Sequence, residues 1–230
     1  MADPAQSLKN FVSAVKCLSV GENIKQANDW LMNFKTLDDA WAVTVQCLGQ
    51  TAIPGMGADD MEMLHFQAAN MVKDKIRKSG DSLAPPARQQ LRQRLVQLIK
   101  VFHSQRKPKT ALQLCIALAN LAVVDDSWND VIVYCANGFS AVDQREMLLD
   151  VLRYFPEQLH RHDRHTISLQ RMENLRGELK KYSPHVLKLI QHSLTVPALV
   201  QNERPLKVRD AKICIRSTTE RERLTLLSYF

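Results

Sequence analysis

The stretch LHRHDRH contains the densest group of metal-binding side chains in the sequence. His160, His162, Asp163 and His165 fall within six consecutive residues. Zinc accepts imidazole and carboxylate ligands, but the histidine spacing of i, i+2 and i+5 does not follow a usual zinc motif, and two arginines intervene. We therefore interpret the stretch as a solvated loop, and no metal or other cofactor is predicted.

Two further stretches could contact phosphate. Gly55-Met56-Gly57 lacks the third glycine and the preceding strand that a dinucleotide site requires. The basic run RKPK at 106–109 could attract a polyanion, although as a short helix connection it is interpreted as an exposed loop. The sequence holds no G-x-x-x-x-G-K-[ST], H-E-x-x-H or G-x-S-x-G motif, so no enzymatic activity is predicted.

The charge of the chain is basic but unevenly distributed. The formal net charge is +7, from 31 Lys+Arg and 24 Asp+Glu. Seven of the basic residues and four of the acidic ones lie in 202–230, which leaves 24 basic and 20 acidic residues in 1–201. The aromatic residues lie in apolar stripes and not among the basic residues, so platforms for base stacking are missing. Direct binding of nucleic acid is not expected.

The composition indicates that the chain is built of helices. Hydrophobic residues make up 45% of the chain, whereas 7 Gly and 9 Pro leave little turn material for an all-β fold. Five cysteines without a C-x-x-C pair indicate a reducing compartment. No stretch approaches the roughly 18 uninterrupted apolar residues that a membrane span needs, and the start MADPAQSLKN does not resemble a secretory signal. We expect a soluble, intracellular protein with no membrane insertion.

Two apolar stripes of helical period occur within residues 27–48. The first has the spacing i, i+3, i+4, i+7 and the second i, i+4, i+8, i+11. Their members are Ala27, Trp30, Leu31 and Phe34, and then Leu37, Trp41, Val45 and Leu48. This pattern predicts two helices that meet at a turn near 35–36, with Trp30 and Trp41 packed between successive repeats.

Capping and turn residues predict further helix boundaries. Asp59 or Asp60 is a plausible N-cap after the longest loop. One of residues 125–127 is predicted to cap a helix that contains Trp128. A later helix is predicted to stop at Pro156, because proline lacks the amide hydrogen that a helix interior uses.

Helical segments can be grouped in pairs along the chain. The first helix of each pair is predicted near residues 5, 38, 85, 127 and 166, a spacing of about 40 residues that is typical of HEAT and armadillo repeats. The predicted fold is therefore all-α, a right-handed α-solenoid (an ARM-repeat superhelix) of HEAT-like helical pairs. We assign about four and a half pairs to residues 1–201 and a divergent basic C-terminal tail to residues 202–230.

Four stretches, in order and spacing, resemble the N-terminal part of the importin-β (karyopherin-β) family. They are ANDWLMNF with the following AW pair, FQAANMVKDKI, TALQLCIALANLAVVDDSW and MLLDVLRYFPEQL. The likeness covers about residues 5–195 and is greatest to the transportin-SR and importin-thirteen branch. The chain departs from the family in three places. The family's Phe-Ala-Ala-Gln stretch is Gln-Ala-Ala-Asn at 67–70 here, the loop at 49–60 is longer, and the likeness fades after Gln201. Because family members are several times longer, we interpret the chain as a truncated or alternatively ended product.

The resemblance implies a nuclear transport receptor that binds the small GTPase Ran in its GTP form and shuttles between cytoplasm and nucleus. Nuclear pore proteins and cargo proteins, of the arginine-serine-rich class for this branch, are the other implied partners. In the family, cargo contacts lie mainly in later repeats.

In the family, the second helix of each N-terminal repeat meets Ran. The corresponding polar positions are Gln67, Asn70, Lys73, Asp74, Arg77, Gln113 and Asn120, with Gln26 and Asn33 on the helix before them. Ordinary solvated helix faces would show the same residue types. The alternative function is therefore a HEAT-repeat scaffold for protein–protein interaction without dependence on nucleotide state.

Overall fold

The computed structural model describes residues 4–161 and 167–195, and in these ranges all regular structure is helical. The α-helices of the described ranges are α1 Pro4–Val20, α2 Ile24–Phe34, α3 Asp39–Gly49, α4 Ala58–Ser79, α5 Pro85–Ser104, α6 Pro108–Val124, α7 Val131–Gly138, α8 Arg145–Arg161 and α9 Leu169–Thr195. A 3₁₀ turn at Val142–Gln144 precedes α8. The predicted all-α fold is confirmed.

The helices follow one another in pairs whose starts agree with the predicted repeat spacing. The odd-numbered helices begin at Pro4, Asp39, Pro85, Val131 and Leu169, close to the predicted starts of the pairs. Pro85 and Pro108 each lie in the first turn of a helix, where the missing amide hydrogen costs nothing. The pairing confirms the prediction of HEAT-like helical pairs. The predicted tail at 202–230 lies outside the described residues.

The chain forms two compact units. The first comprises Met1–Trp128 and Asp150–Arg161. Within it, α1 packs against α2, α3 and α4, while α4 also packs against α3 and α6, and α6 against α5. Each helix buries one apolar stripe against its neighbours, so the core is continuous from pair to pair. Its largest fully buried side chains include Phe11, Leu64 and Phe102.

Within the described residues, the second unit comprises 129–149 and 167–195. In its described part α7 packs against α9. The carboxylate Oε1 of Glu178 on α9 accepts a hydrogen bond of 2.6 Å from the Ile132 amide, in the first turn of α7. Asp130, at the start of α7, provides no side-chain cap. A carboxylate from another helix thus satisfies an amide that the helix itself leaves without a partner.

Two helices of the first unit end with a residue in the left-handed backbone region. Gly21 after α1 has a φ of +82°, which glycine reaches without strain. Arg106 after α5 has a φ of +54°, where a side chain is uncommon. The turn lets the Lys107 amide donate to the Phe102 carbonyl at 2.9 Å, and the Lys107 ammonium lies 6.0 Å from the centre of the Phe102 ring. Lys107 is thereby folded back onto the end of its own helix.

The predicted N-cap of α4 is wrong. The helix follows Gly57, whose amide donates to Asp60 Oδ2 at 3.3 Å, so Asp60 lies in the first turn. Asp60 Oδ1 also accepts a 2.6 Å bond from Ser19 Oγ. The hydrogen bonds from Ser19 and then from Gly57 lower the pKa of the Asp60 carboxyl. Asp60 therefore ties the start of α4 to the end of α1.

Two further predicted boundaries are wrong for reasons of burial. Trp128 lies in the turn between α6 and α7 and not in a helix; its amide donates to the Asp125 carbonyl at 3.0 Å, and its side chain is 1% exposed. Pro156 lies inside α8 and does not end it. The buried side chains of Phe155 and Leu159 flank it, and their packing outweighs the loss of one backbone hydrogen bond.

The prediction that Trp30 and Trp41 are both packed away between repeats holds only in part. Both side chains are half-buried. Trp30 stacks on Phe34 with ring centres 4.7 Å apart, and the Lys75 ammonium lies 5.3 Å from the centre of the Trp41 ring. Within the described ranges, no helix has the length and apolar character needed to cross a membrane.

Candidate protein-binding surface

Helix α4 positions most of the predicted site residues. Its inner face buries apolar side chains, among them Leu64, Ala68 and Val72. Its outer face carries Asn70 and Lys73 half-exposed and Arg77 exposed, because these positions follow the helical period of three to four residues. The apolar stripe thus fixes which polar residues of α4 face outward.

The Lys73 ammonium connects α4 with α6. Lys73 Nζ donates to Asn70 Oδ1 at 3.0 Å and to Gln113 Oε1 at 2.9 Å. The amide oxygens are assigned from this network. Asn70 and Gln113 belong to the second helices of consecutive pairs, so the bond pattern brings three predicted site residues together. We call the outer face around these residues the α4–α6 surface.

The charge of Lys73 is held in a partly desolvated position. Burial is the largest cause that lowers the pKa of the Lys73 ammonium; the Asp74 carboxylate raises this pKa, and Arg77 and Arg161 lower it further. Asp74 itself forms an ion pair of 3.8 Å with Lys35. The cation at the middle of the surface therefore has neutral amides, and not a carboxylate, as its direct hydrogen-bond partners.

The remaining predicted site residues are distributed around this centre. Gln67 is half-buried, and its Nε2 lies 3.9 Å from the sulfur of Met63 on the same helix. Asp74 lies on the side of α4 that faces Lys35 after α2. Gln26 and Asn33 are exposed on α2. The structure brings Asn70, Lys73 and Gln113 into contact, and it leaves Gln26 and Asn33 apart from them.

Asn120 does not belong to the surface. It is 1% exposed, because the C-terminal half of α6, from Ala117 to Val124, is buried on all sides. Its assignment to a presented surface is therefore wrong, since a polar residue in an apolar helix can be a buried hydrogen-bonding residue.

Arg161 lies near Lys73 but was not among the predicted residues. It is the last residue of α8, and it was assigned to a loop because the helix was predicted to stop at Pro156. Its guanidinium is 60% exposed and pairs with Glu157 at 2.6 Å, one turn earlier in the helix. A helix that continues through Pro156 is the signal that would have identified it.

Lys75 positions α4 from its inner face. It is only 5% exposed, and its Nζ donates to the carbonyl oxygens of Leu37 at 2.7 Å and Lys35 at 3.2 Å. Burial lowers the pKa of this ammonium, while the Asp38 carboxylate acts in the opposite direction. Both carbonyls belong to the turn between α2 and α3, where the Leu37 carbonyl also accepts from the Ala40 amide at 3.3 Å, so Lys75 connects this turn to α4.

His65 connects α4 with two loops. Its Nε2 lies 2.9 Å from the Gln50 carbonyl oxygen and its Nδ1 lies 3.3 Å from the Lys107 ammonium. An ammonium can only donate, which assigns the proton of neutral His65 to Nε2. Burial is the main cause that lowers the pKa of His65, and the Lys107 charge lowers it further, against the Gln50 hydrogen bond. The ring also contacts Phe102 edge-on at 4.9 Å.

The chemistry of the α4–α6 surface suits recognition of another protein. It offers amide groups, an ammonium and guanidinium groups, which form hydrogen bonds and ion pairs. In the described ranges no three His, Cys, Asp or Glu side chains are grouped so as to hold a metal ion. His162, Asp163 and His165 of the LHRHDRH stretch lie outside the described residues, whereas His160 is exposed at the end of α8.

Comparison with known proteins gives a family match and a match to one relative. Residues 108–203, which begin at the first residue of α6, match the family of Exportin 1-like proteins (Xpo1). A segment of 97 residues is 36% identical to the transportin MOS14 of Arabidopsis thaliana. The segment covers 42% of this chain and 9% of that relative, so the chain spans only a small part of its length. The matched part of the chain is thus similar to Exportin 1-like proteins and to a transportin.

Proposed function

We propose that this chain is the Ran-GTP-binding region of a nuclear transport receptor that shuttles between cytoplasm and nucleus. The observation that carries the proposal is the Lys73 hydrogen-bond pattern, which joins α4 and α6, the second helices of consecutive pairs, into one polar surface. The similarity to an exportin-like family and to a transportin supports it. The resemblance to the importin-β family supplies Ran as the partner.

The surface would distinguish the two nucleotide states through contact alone. The γ-phosphate of GTP orders the switch loops of small GTPases, and these loops relax after hydrolysis. A receptor that touches an ordered loop binds the GTP form more tightly, and the preference equals the difference in contact free energy between the two states. No chemical step by this chain is required.

Cargo binding belongs to the same proposal. We infer that arginine-serine-rich cargo and nuclear pore proteins are partners of the complete receptor, and that cargo contacts lie mainly in repeats beyond these residues. The 230 residues on their own should therefore fail to carry such a cargo into the nuclei of permeabilised cells. Efficient import by this chain alone would contradict the assignment of the cargo site.

Binding to Ran loaded with GTP or GDP tests the central proposal. We expect weaker affinity than that of a full receptor, because later repeats complete the interface in the family. Capture of Ran·GTP should still exceed capture of Ran·GDP, because a few residues near the centre of an interface dominate binding. The double variant Asn70→Ala, Asp74→Ala should weaken capture of the GTP form. Its free energy of unfolding should change by less than about 1 kcal/mol, since the affected ion pair is partly solvated.

The matched control is the double variant Asn10→Ala, Asp81→Ala. Both positions are exposed and lie outside α4 and α6, on α1 and in the turn after α4. It removes the same chemical groups and should leave capture unchanged. Equal capture of both nucleotide forms by the unaltered chain would favour the scaffold function that needs no nucleotide state.

A further inference from the structure

The α4–α6 surface lies beside a part of the chain that has no acidic residue. Residues 82–124 contain seven Lys and Arg and neither Asp nor Glu. Some of these cations have a structural partner: Arg88 pairs with Asp125 at 3.4 Å, Arg92 lies 5.0 Å from the centre of the Trp128 ring, and Lys107 contacts His65.

Lys109 differs from the three cations that have a structural partner, because it is exposed on the outer side of α6. It precedes Gln113 by four residues, so the two side chains lie one above the other on the same face of the helix. Gln113 accepts the hydrogen bond from Lys73, which places Lys109 along the edge of the α4–α6 surface. No ion pair involves Lys109 within the described ranges.

Two arginines extend the positive charge. Arg77 is exposed one helical turn after Lys73. The positive charges of Arg77 and Arg161 both lower the pKa of the Lys73 ammonium. The nearby carboxylates of Asp74 and Glu157 pair with Lys35 and Arg161.

Glu62, the next acidic residue on the outer side of α4, precedes Lys73 by eleven residues, which is about 16 Å along a helix. The acidic residues of α4 are thus either engaged or distant from Lys73.

We propose that the cationic face formed by Lys73, Arg77, Lys109 and Arg161 binds a carboxylate-bearing segment of a protein partner. The inference rests on the proposed role of the α4–α6 surface in protein binding and specifies the chemistry of the segment that meets it. An ammonium has three donors, and Asn70 and Gln113 take two of those of Lys73. The third donates to the incoming carboxylate, at low entropic cost because the side chain is already held in place.

A protein carboxylate fits this face better than single-stranded nucleic acid. Proteins that bind single strands combine basic grooves with exposed aromatic rings on which the bases stack. Among the described residues, the exposed large hydrophobic side chains are aliphatic or methionine, and none is aromatic. The face supplies charge without a stacking platform.

Fluorescence anisotropy with three labelled probes tests the inference on the full chain. The probes are a peptide of alternating glutamate and serine, the same peptide with glutamine for glutamate, and oligothymidylate of equal charge. We expect the glutamate peptide to bind in preference to both others, and to weaken as ionic strength rises from about 50 mM to about 300 mM, because salt screens solvent-exposed ion pairs.

The double variant Lys73→Gln, Arg77→Gln should weaken binding of the glutamate peptide about fivefold, the loss expected for two partly solvated ion pairs. The matched control Lys9→Gln, Arg94→Gln removes the same charge from exposed positions on α1 and α5 and should change binding less than about twofold. Thermal unfolding of both variants establishes that they are folded.

Three results would overturn the inference: equal loss in both double variants, tighter binding of oligothymidylate, or equal binding of the glutamate and glutamine peptides. The first would indicate a general effect of net charge, and the second a nucleic-acid surface. The nucleotide preference toward Ran is measured separately. Peptide binding without that preference would reject only the proposed function, and the preference without peptide binding would reject only this inference.

Discussion

The two faces of α4 use the same residue type for different purposes. Lys75 on the inner face is buried and donates to backbone carbonyls of the turn between α2 and α3. Lys73, two residues earlier, lies on the outer face and donates to the side-chain amides of Asn70 and Gln113. Backbone acceptors move only if the fold moves, whereas side-chain acceptors can turn toward a new partner. The partner of a lysine thus indicates whether it stabilises the fold or is available for binding.

The same difference extends to the neighbouring residues of each face. On the inner face, His65 bonds to the Gln50 carbonyl, again a backbone group. On the outer face, Asp74 pairs with the side chain of Lys35. Polar groups of the inner face are therefore part of the packing between helices, and those of the outer face form a layer that substitutions can change at little cost in stability.

The largest expected effect is the loss of stability in Lys75→Met. Methionine fills a similar volume but leaves the Lys35 and Leu37 carbonyls without their buried donor, which should lower the free energy of unfolding by about 3 kcal/mol. Urea denaturation followed by circular dichroism measures it. A loss below about 1 kcal/mol would show that water replaces the ammonium and that the inner face is not a dry contact.

A smaller loss of unfolding free energy is expected for Trp41→Ala, which removes the ring that contacts the Lys75 ammonium. A fully buried tryptophan costs about 3 to 5 kcal/mol when truncated. Trp41 is half-buried, so we expect about 2 kcal/mol, including the loss of the cation–π contact with Lys75. Trp41→Phe retains a ring and should cost less than about 1 kcal/mol. Equal losses in the two variants, measured by urea denaturation, would exclude a role for the ring.

The pH dependence of stability tests whether His65, on the inner face of α4, is buried. Its pKa in the folded chain is lowered from 6.5, so below that pH the unfolded chain binds more protons and stability falls as the pH decreases. In His65→Gln this contribution is absent. The difference in unfolding free energy between the unaltered chain and the variant should therefore shrink from about pH 7.5 to about pH 5, as measured by urea denaturation. Parallel profiles would mean that His65 is solvated.

The smallest expected change in stability is that of Lys73→Met. Because Asn70 and Gln113 can be solvated on the outer face, the free energy of unfolding should change by less than about 0.5 kcal/mol. Its binding of the glutamate peptide should nevertheless weaken, as measured by anisotropy. A stability loss similar to that of Lys75→Met would remove the difference between the two faces.

The helical pairs were accessible from the sequence because their signals are local. Pro85 marks a helix start and Gly21 marks a helix end through the backbone geometry of each residue alone, whereas Pro108, which begins α6, was assigned to a loop with the rest of RKPK. Pro156 shows where such local signals fail. The burial of its neighbours is decided by packing, so a residue that disfavours a helix interior lies inside one.

The candidate site was accessible only in part. Resemblance to a family selected Asn70, Lys73 and Gln113, and the structure brings them together. It also selected Asn120, which is buried, and it did not include Arg161, whose charge acts on the Lys73 ammonium. The exposure of a side chain depends on how many helices pack around its own helix, and the apolar pattern of one helix does not reveal how many neighbours it has.

The sequence by itself determined that the chain is all-α and built of helical pairs, because the spacing of apolar residues expresses the geometry of a single helix. The helical period places Lys73 and Lys75 on different sides of α4 once that helix is known. Only the tertiary structure decided what each lysine meets. The carbonyls that accept from Lys75 arrive from a turn about 40 residues earlier, and the amide of Gln113 from a helix 40 residues later. Contacts across such distances follow from the packing of whole helices, since no local preference encodes them.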